Sequence, residues 1–174
     1  MIGIGMIIPI IPIIFTDPTS PSFLLTGYSQ QEQYLYAGLL TALFGLMQFF
    51  SAPLLGELSD VYGRKKLLTL GVGILAFSQL LFGFSIEIGS LWLLFFSRVV
   101  AGMAGGNFSI AQASIADITD PKDRAKNFGL IGAAFGIGFI LGPTLGGYIA
   151  HVFDNAAVPF WVASALGVIN VIFV

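Results

Sequence analysis

Six apolar stretches joined by short polar connections leave this chain few folds to choose from. They cover residues 1–15, 35–55, 67–86, 91–116, 127–150 and 158–174. The four inner ones reach the roughly 20 residues that a helix needs to cross a bilayer core. The chain is 56% hydrophobic and only 9% charged, whereas a soluble domain is about one quarter charged. In lipid a helix satisfies its own backbone groups, so the pattern predicts an all-α polytopic membrane protein.

The charges sort by connection. Of the seven Lys and Arg, Arg64, Lys65 and Lys66 follow the second stretch and Lys122, Arg124 and Lys126 follow the fourth; Arg98 lies inside a stretch. The connections 16–34, 87–90 and 151–157 carry none. Basic loops stay in the cytoplasm, so the N-terminus and the loops at 56–66 and 117–126 are expected there. A miscounted helix would scatter the basic loops over both sides, and this partition does not.

The first stretch covers about 22 Å of a roughly 30 Å core, and the last is still apolar at Val174. Both ends read as cut within a helix, so the chain is expected to be a fragment. A cleaved signal peptide is the alternative for residues 1–15. It lacks the basic leader such peptides carry, and Pro9 and Pro12 interrupt it.

Local signals mark the boundaries. Thr16-Asp17-Pro18 ends the first span, Ser29 with Glu32 forms a capping box, and Ser90 caps the fourth span. Asp120 is expected as an N-cap with Pro121 at the first helical position. Small residues recur at packing intervals: Gly138, Gly142 and Gly146 on the fifth span; Arg98, Gly102, Gly105, Ser109, Gln112 and Ala116 on the fourth; Gly38, Thr41, Gly45, Gln48 and Ala52 on the second. Such faces turn toward a neighbouring helix or a cavity rather than lipid. Ser51–Gly56 in the second span weakly echoes Leu141–Gly146 in the fifth, with inverted topology.

Gly56-Glu-Leu-Ser-Asp60-Val-Tyr-Gly63-Arg64-Lys65-Lys66 is a compact charged turn between the second and third stretches. It resembles the sequence that major facilitator superfamily carriers place between their second and third helices; Val61 departs from the pattern. Arg98-Val-Val-Ala-Gly102-Met-Ala-Gly105 looks like the family's fourth-helix pattern, with Ala101 in place of the usual polar residue. Gly138 to Gly147, with Pro143, resembles the fifth-helix motif of antiporters, and Asp117-Ile-Thr-Asp120 through Arg124 is similar to tetracycline-type efflux pumps.

The resemblance implies the six-helix N-terminal half of a twelve-helix major facilitator fold, with its first and last helices truncated, of the drug:proton antiporter type. It implies a gating loop at Gly56, Asp60, Gly63, Arg64, Lys65 and Lys66, and a packing motif at Gly138, Gly142, Pro143, Gly146 and Gly147. Proton coupling falls to Arg98, with Gln48, Gln112 and Asn107 at the cavity and Asp117, Asp120 and Arg124 capping the cytoplasmic side. The partners implied are a bilayer, a small amphipathic substrate, protons and the missing C-terminal half. No cofactor, metal or nucleic acid is implied, and the setting is the bacterial cytoplasmic membrane.

Alternatives stand beside these assignments. Arg98 is the one charge well inside a span, and it either serves function or snorkels to the outer interface. Gln48, Asn107, Ser109 and Gln112 either meet substrate or bond between helices. Gly142-Pro143 either kinks the fifth span or allows tight packing. His151, the single His, reads as an interfacial residue or a proton carrier.

The acidic residue that tetracycline pumps carry in the first helix would fall before Met1, and the third-helix one aligns with Ser78. Tetracycline itself is therefore a poor substrate expectation. A nutrient symporter or uniporter fits the charged turn equally well, and a non-transporting fragment is a further reading. An intramembrane enzyme is not expected: there is no Cys, one His, and no paired carboxylate inside a span.

Overall fold

The computed structural model describes residues 2–174, so Met1, the first residue of the expected opening span, lies outside the described residues. Eight helices make six membrane-directed segments: α1 (Ile2–Gly5) with α2 (Ile7–Phe15), α3 (Gln30–Tyr62), α4 (Arg64–Glu87), α5 (Leu91–Met103) with α6 (Asn107–Ile118), α7 (Arg124–Val152) and α8 (Val158–Phe173). Four are long and apolar enough to cross a membrane: α3, α4, Leu91–Ile118 taken together, and α7; Ile2–Phe15 and α8 are shorter apolar helices.

Two expected boundaries differ. The charged turn at 56–66 is helical throughout except at Gly63. Once nucleated, a helix extends cheaply into water, so α3 runs through Asp60 to Tyr62. It stops where Gly63 takes φ 95°, a value other residues rarely adopt. Asp120 does not cap α7, which begins at Arg124. Instead the Asp123 amide donates to the Asp120 carbonyl in a turn, at 2.9 Å.

The capping box at Ser29 is complete: its hydroxyl accepts from the Glu32 amide, and the Glu32 carboxylate accepts from the Ser29 amide at 2.8 Å. Ser90 caps α5 by accepting from the Leu93 amide. In the 16–29 connection, Asp17 accepts from the Thr19 hydroxyl (2.6 Å) and amide (3.0 Å). These bonds, the hydroxyl's first, hold the Asp17 carboxyl below its ordinary value of 3.8.

α4 packs most extensively on α8 and also on α5; α3 packs on α5, and α1 with α2 on α7. The expected small-residue contacts divide sharply. A Cβ on Gly142 would fall 2.7 Å from Gly5 Cα, and one on Gly146 would fall 2.9 Å from Met6 Cα, so these glycines let α7 meet the first segment backbone to backbone. Gly38 and Gly45 on α3 face open space.

The apolar core lies at one end of the bundle. Ile10, Ile14 and Phe15 of α2 meet Leu25 of the connection, Leu40 of α3, Phe82 and Ile86 of α4, and Phe160 of α8. This is the end opposite Arg64, Lys65 and Lys66. Hydrogen bonds tie its connections together: Asn155 Nδ2 donates to Glu87 Oε1 at 2.6 Å, and the Ala156 amide donates to Ser22 Oγ at 3.1 Å. Toward the basic end the first half of α7, up to Ile137, has no buried residue.

Candidate functional site

The α3–α4 junction brings two acids from different segments to one base. Arg64 Nη2 lies 3.1 Å from Asp60 Oδ1, one helical turn away, and Arg64 Nε lies 2.5 Å from Asp117 Oδ2 at the end of α6. Asp60 thus meets the guanidinium that begins α4. Gly63 makes the sharp junction that aims Arg64 at α6, and Gly56 faces open space. Lys65 and Lys66 point to solvent. Asp120 joins only Lys122, at 3.8 Å, and Arg124 is exposed, so these two stand apart from the Arg64 cluster.

Deeper in the bundle the fourth segment breaks. Ala104, Gly105 and Gly106 form a turn between α5 and α6, in which the Gly105 amide donates to the Gly102 carbonyl at 2.9 Å. Side chains of α3 meet two carbonyls of this turn: Ser51 Oγ also donates to the Gly102 carbonyl, at 2.9 Å, and Gln48 Nε2 donates to the Gly105 carbonyl at 3.0 Å. Close approach makes this possible, since a Cβ on Gly102 would fall 2.7 Å from the Phe44 carbonyl. Gln48 therefore bonds between helices here.

Nearly two turns before the break, Arg98 is 2% exposed. Its guanidinium lies over the Phe82 ring, 4.2 Å from the centroid, a cation–π contact. Its Nε and Nη2 are buried without a hydrogen-bond partner among the described residues. Gln79, one turn from Phe82 on α4, donates Nε2 to the Gly3 carbonyl at 3.2 Å and leaves Oε1 buried and unpartnered. Asn107, the first residue after the break, is buried against Gly71, where any Cβ would collide with its carboxamide. Gln112 is half-buried, Ser109 is exposed, and His151 is exposed at the far end of α7.

Around Arg98 no carboxylate is available along the sequence. All nine acids, Asp17, Glu32, Glu57, Asp60, Glu87, Asp117, Asp120, Asp123 and Asp154, sit at segment ends or in connections. Burying an unpaired guanidinium in a membrane helix is costly, and such groups are retained for what they do. No group of three or more metal-ligating side chains occurs among the described residues.

Sequence reasoning found Arg64, Arg98 and the fifth-span glycines from their patterns. It missed Ser51, Gln79, Phe82 and Gly71 as working parts. The Gly105-Gly106 pair was the available signal for the break and hence for donors opposite it.

The sequence pattern of the Major Facilitator Superfamily matches residues 1–174. Over 159 residues the chain is 38% identical to the class H tetracycline resistance protein of Pasteurella multocida, covering 91% of this chain and 36% of that protein. It is 36% identical over 178 residues to the class C tetracycline resistance protein of Escherichia coli, covering 98% of this chain and 40% of that protein. It is also 36% identical over 169 residues to the quinolone resistance protein NorA of Staphylococcus aureus, covering 97% of this chain and 39% of that protein. The chain thus spans about two fifths of the length of these relatives.

Among solved structures, the crystal structure of the human organic anion transporter MFSD10 (TETRAN) superposes with a TM-score of 0.76 at 25% identity, covering 98% of this chain and 43% of that one. The all-helical bundle, its ion-paired α3–α4 junction and a sequence match along its whole length together place this integral membrane chain in the Major Facilitator Superfamily, as the N-terminal half of its fold.

Proposed function

We propose that this chain is the first half of a proton-coupled exporter of small amphipathic molecules that works by alternating access. The observation that carries the reading is Arg64 bridging Asp60 and Asp117. It locks the α3–α4 junction to the end of the fourth segment with partly exposed ion pairs, which are cheap to make and break. With the basic connections in the cytoplasm, this latch sits at the cytoplasmic mouth of the bacterial inner membrane and holds one conformation. The direction of transport draws on relatives named as resistance proteins against tetracycline and quinolone.

Arg98 supplies a fixed positive charge inside the half-bundle, beside the apolar core. A carboxylate brought near it would have its ionised form favoured, and moving that carboxylate away would favour proton uptake. With every acid of this chain at a segment end, the proton-carrying carboxylate belongs to another part of the transporter. Gln112 and Ser109, accessible beyond the break, are the polar groups placed to meet cargo, and the C-terminal half supplies the opposite wall.

The test is substrate accumulation in cells expressing the full-length transporter, with tetracycline, a fluoroquinolone and a lipophilic cation as probes. Export predicts lower accumulation than in cells with Asp60→Asn, abolished by a protonophore. Energised accumulation above the control, with sugars or other nutrients as cargo, overturns export in favour of a symporter of the same superfamily.

A further inference from the structure

Two concavities lie in line along α4. Tyr62, Lys65, Lys66, Thr69 and Leu70 line the first, a mouth at the basic end. About a turn further a second, separate one lies between α4 and α8, with Gly73, Phe77 and Leu80 on one wall and Val168 and Val171 on the other. Lys66, Leu70, Gly73, Phe77 and Leu80 follow at steps of three and four residues, so they form one stripe on one helix face. From Lys66 to Leu80 the stripe rises about 21 Å, enough to pass a headgroup level and enter one leaflet of about 15 Å. Leu70, Phe77 and Leu80 are 59%, 54% and 49% exposed.

Charge at the mouth is unbalanced. Arg64 is consumed by Asp60 and Asp117. Lys65 and Lys66 are exposed and make no ion pair among the described residues. Tyr62 stands beside them with an amphipathic ring of the kind that settles at headgroup depth. Gly73 keeps the floor open, since a Cβ there would only touch Val171 Cγ2, at 3.9 Å.

We propose that the two concavities together bind an anionic phospholipid of the leaflet at the basic end. The phosphate sits between Lys65 and Lys66, and one acyl chain lies along Gly73, Phe77 and Leu80 against α8. Charge complementarity selects this occupant: the two lysines have no acid of their own, and negative lipid supplies one. A second copy of this chain across a two-fold axis would set the same lysines against each other. A zwitterionic lipid would bring an ammonium group toward them.

The experiment uses the purified full-length transporter, titrated with phosphatidylglycerol in phosphatidylcholine-containing micelles, with retained lipid read by native mass spectrometry. Phosphatidylglycerol should be retained in preference to phosphatidylcholine. Lys65→Gln with Lys66→Gln should weaken its retention roughly twenty-five-fold, from about fivefold per lysine. Gly73→Leu, which keeps both lysines and fills the floor, should weaken retention as well. Equal retention of the two lipids overturns the proposal, as does undiminished phosphatidylglycerol retention by the double lysine variant or a Phe77→Cys disulfide joining two copies. Should a variant fail to fold, the lipid preference of the unaltered protein decides by itself. None of these readouts involves transport, so they stand or fall apart from the export reading.

Discussion

Arg64 and Asp117 lie 2.5 Å apart, Nε to Oδ2, although one begins the third membrane segment and the other ends the fourth. With Asp60 on the same guanidinium, the contact turns three helix ends into one unit. Both acids are more than half exposed, so the unit contributes little to stability, and the role proposed for it is to choose a conformation.

Replacing Asp117 with Asn therefore separates the two roles. An exposed ion pair contributes under about 1 kcal/mol, so the melting temperature should move by no more than about 4 °C. Transport should fall several-fold, and a cysteine pair spanning α4 and α6 should cross-link more slowly. An unchanged transport rate in Asp117→Asn would remove the latch.

Gly146 and Gly147 offer a matched pair on α7. A methyl at Gly146 would enter the Met6 backbone at 2.9 Å, whereas one at Gly147 would rest 3.8 Å from Pro9 Cβ. Gly146→Ala should destabilise by about 1–3 kcal/mol through overpacking. Gly147→Ala should be neutral or gain a few tenths of a kcal/mol from helix propensity. Thermal unfolding in a common detergent compares them directly.

Arg98 reverses the usual expectation for a buried residue. Its charge has no ionic partner among the described residues, and burying an unpaired cation within a membrane span is costly, up to about 2.5–3.5 kcal/mol at the bilayer centre. Arg98→Met should keep or raise the melting temperature while abolishing proton-driven transport. Phe82→Leu, which removes the ring under the guanidinium, should destabilise. A large loss of stability in Arg98→Met would mean that the arginine is structural.

Asp17 sets a pH dependence for the connection between the first two segments. Its folded carboxyl titrates below the ordinary 3.8 because the Thr19 hydroxyl and amide bind the ionised form. The contribution is therefore complete above 3.8 and is lost as pH falls through the lowered value. The melting difference between the unaltered protein and Asp17→Ala should be constant from pH 7 to 5 and shrink at still lower pH.

Local chemistry was the legible part. The Ser29 box and Ser90 cap depend on residues within one turn, and the fifth-span glycines announce a close contact without naming the other helix. Arg64 could be singled out, but its choice of Asp117 over Asp120 depends on how α6 ends beside Gly63, which no spacing encodes. Gln48 looked equally suited to cargo and to a helix partner, until the break at Gly105 exposed a carbonyl within its reach. The same break hid in an apolar run that hydropathy reads as continuous. Asp120 shows the converse: a sound capping signal yielded to a turn that starts the helix at Arg124.

The position of the apolar core, between Ile10, Phe82 and Phe160, makes this half-bundle unequal along its length. Amide protons there should exchange more slowly in this half-bundle than those in the first turns of α7, which have no buried side chain up to Ile137. The half-bundle is held by close apolar packing at one end and by exposed ion pairs at the other, so its two ends answer to different solvents: the first to detergent and lipid, the second to salt.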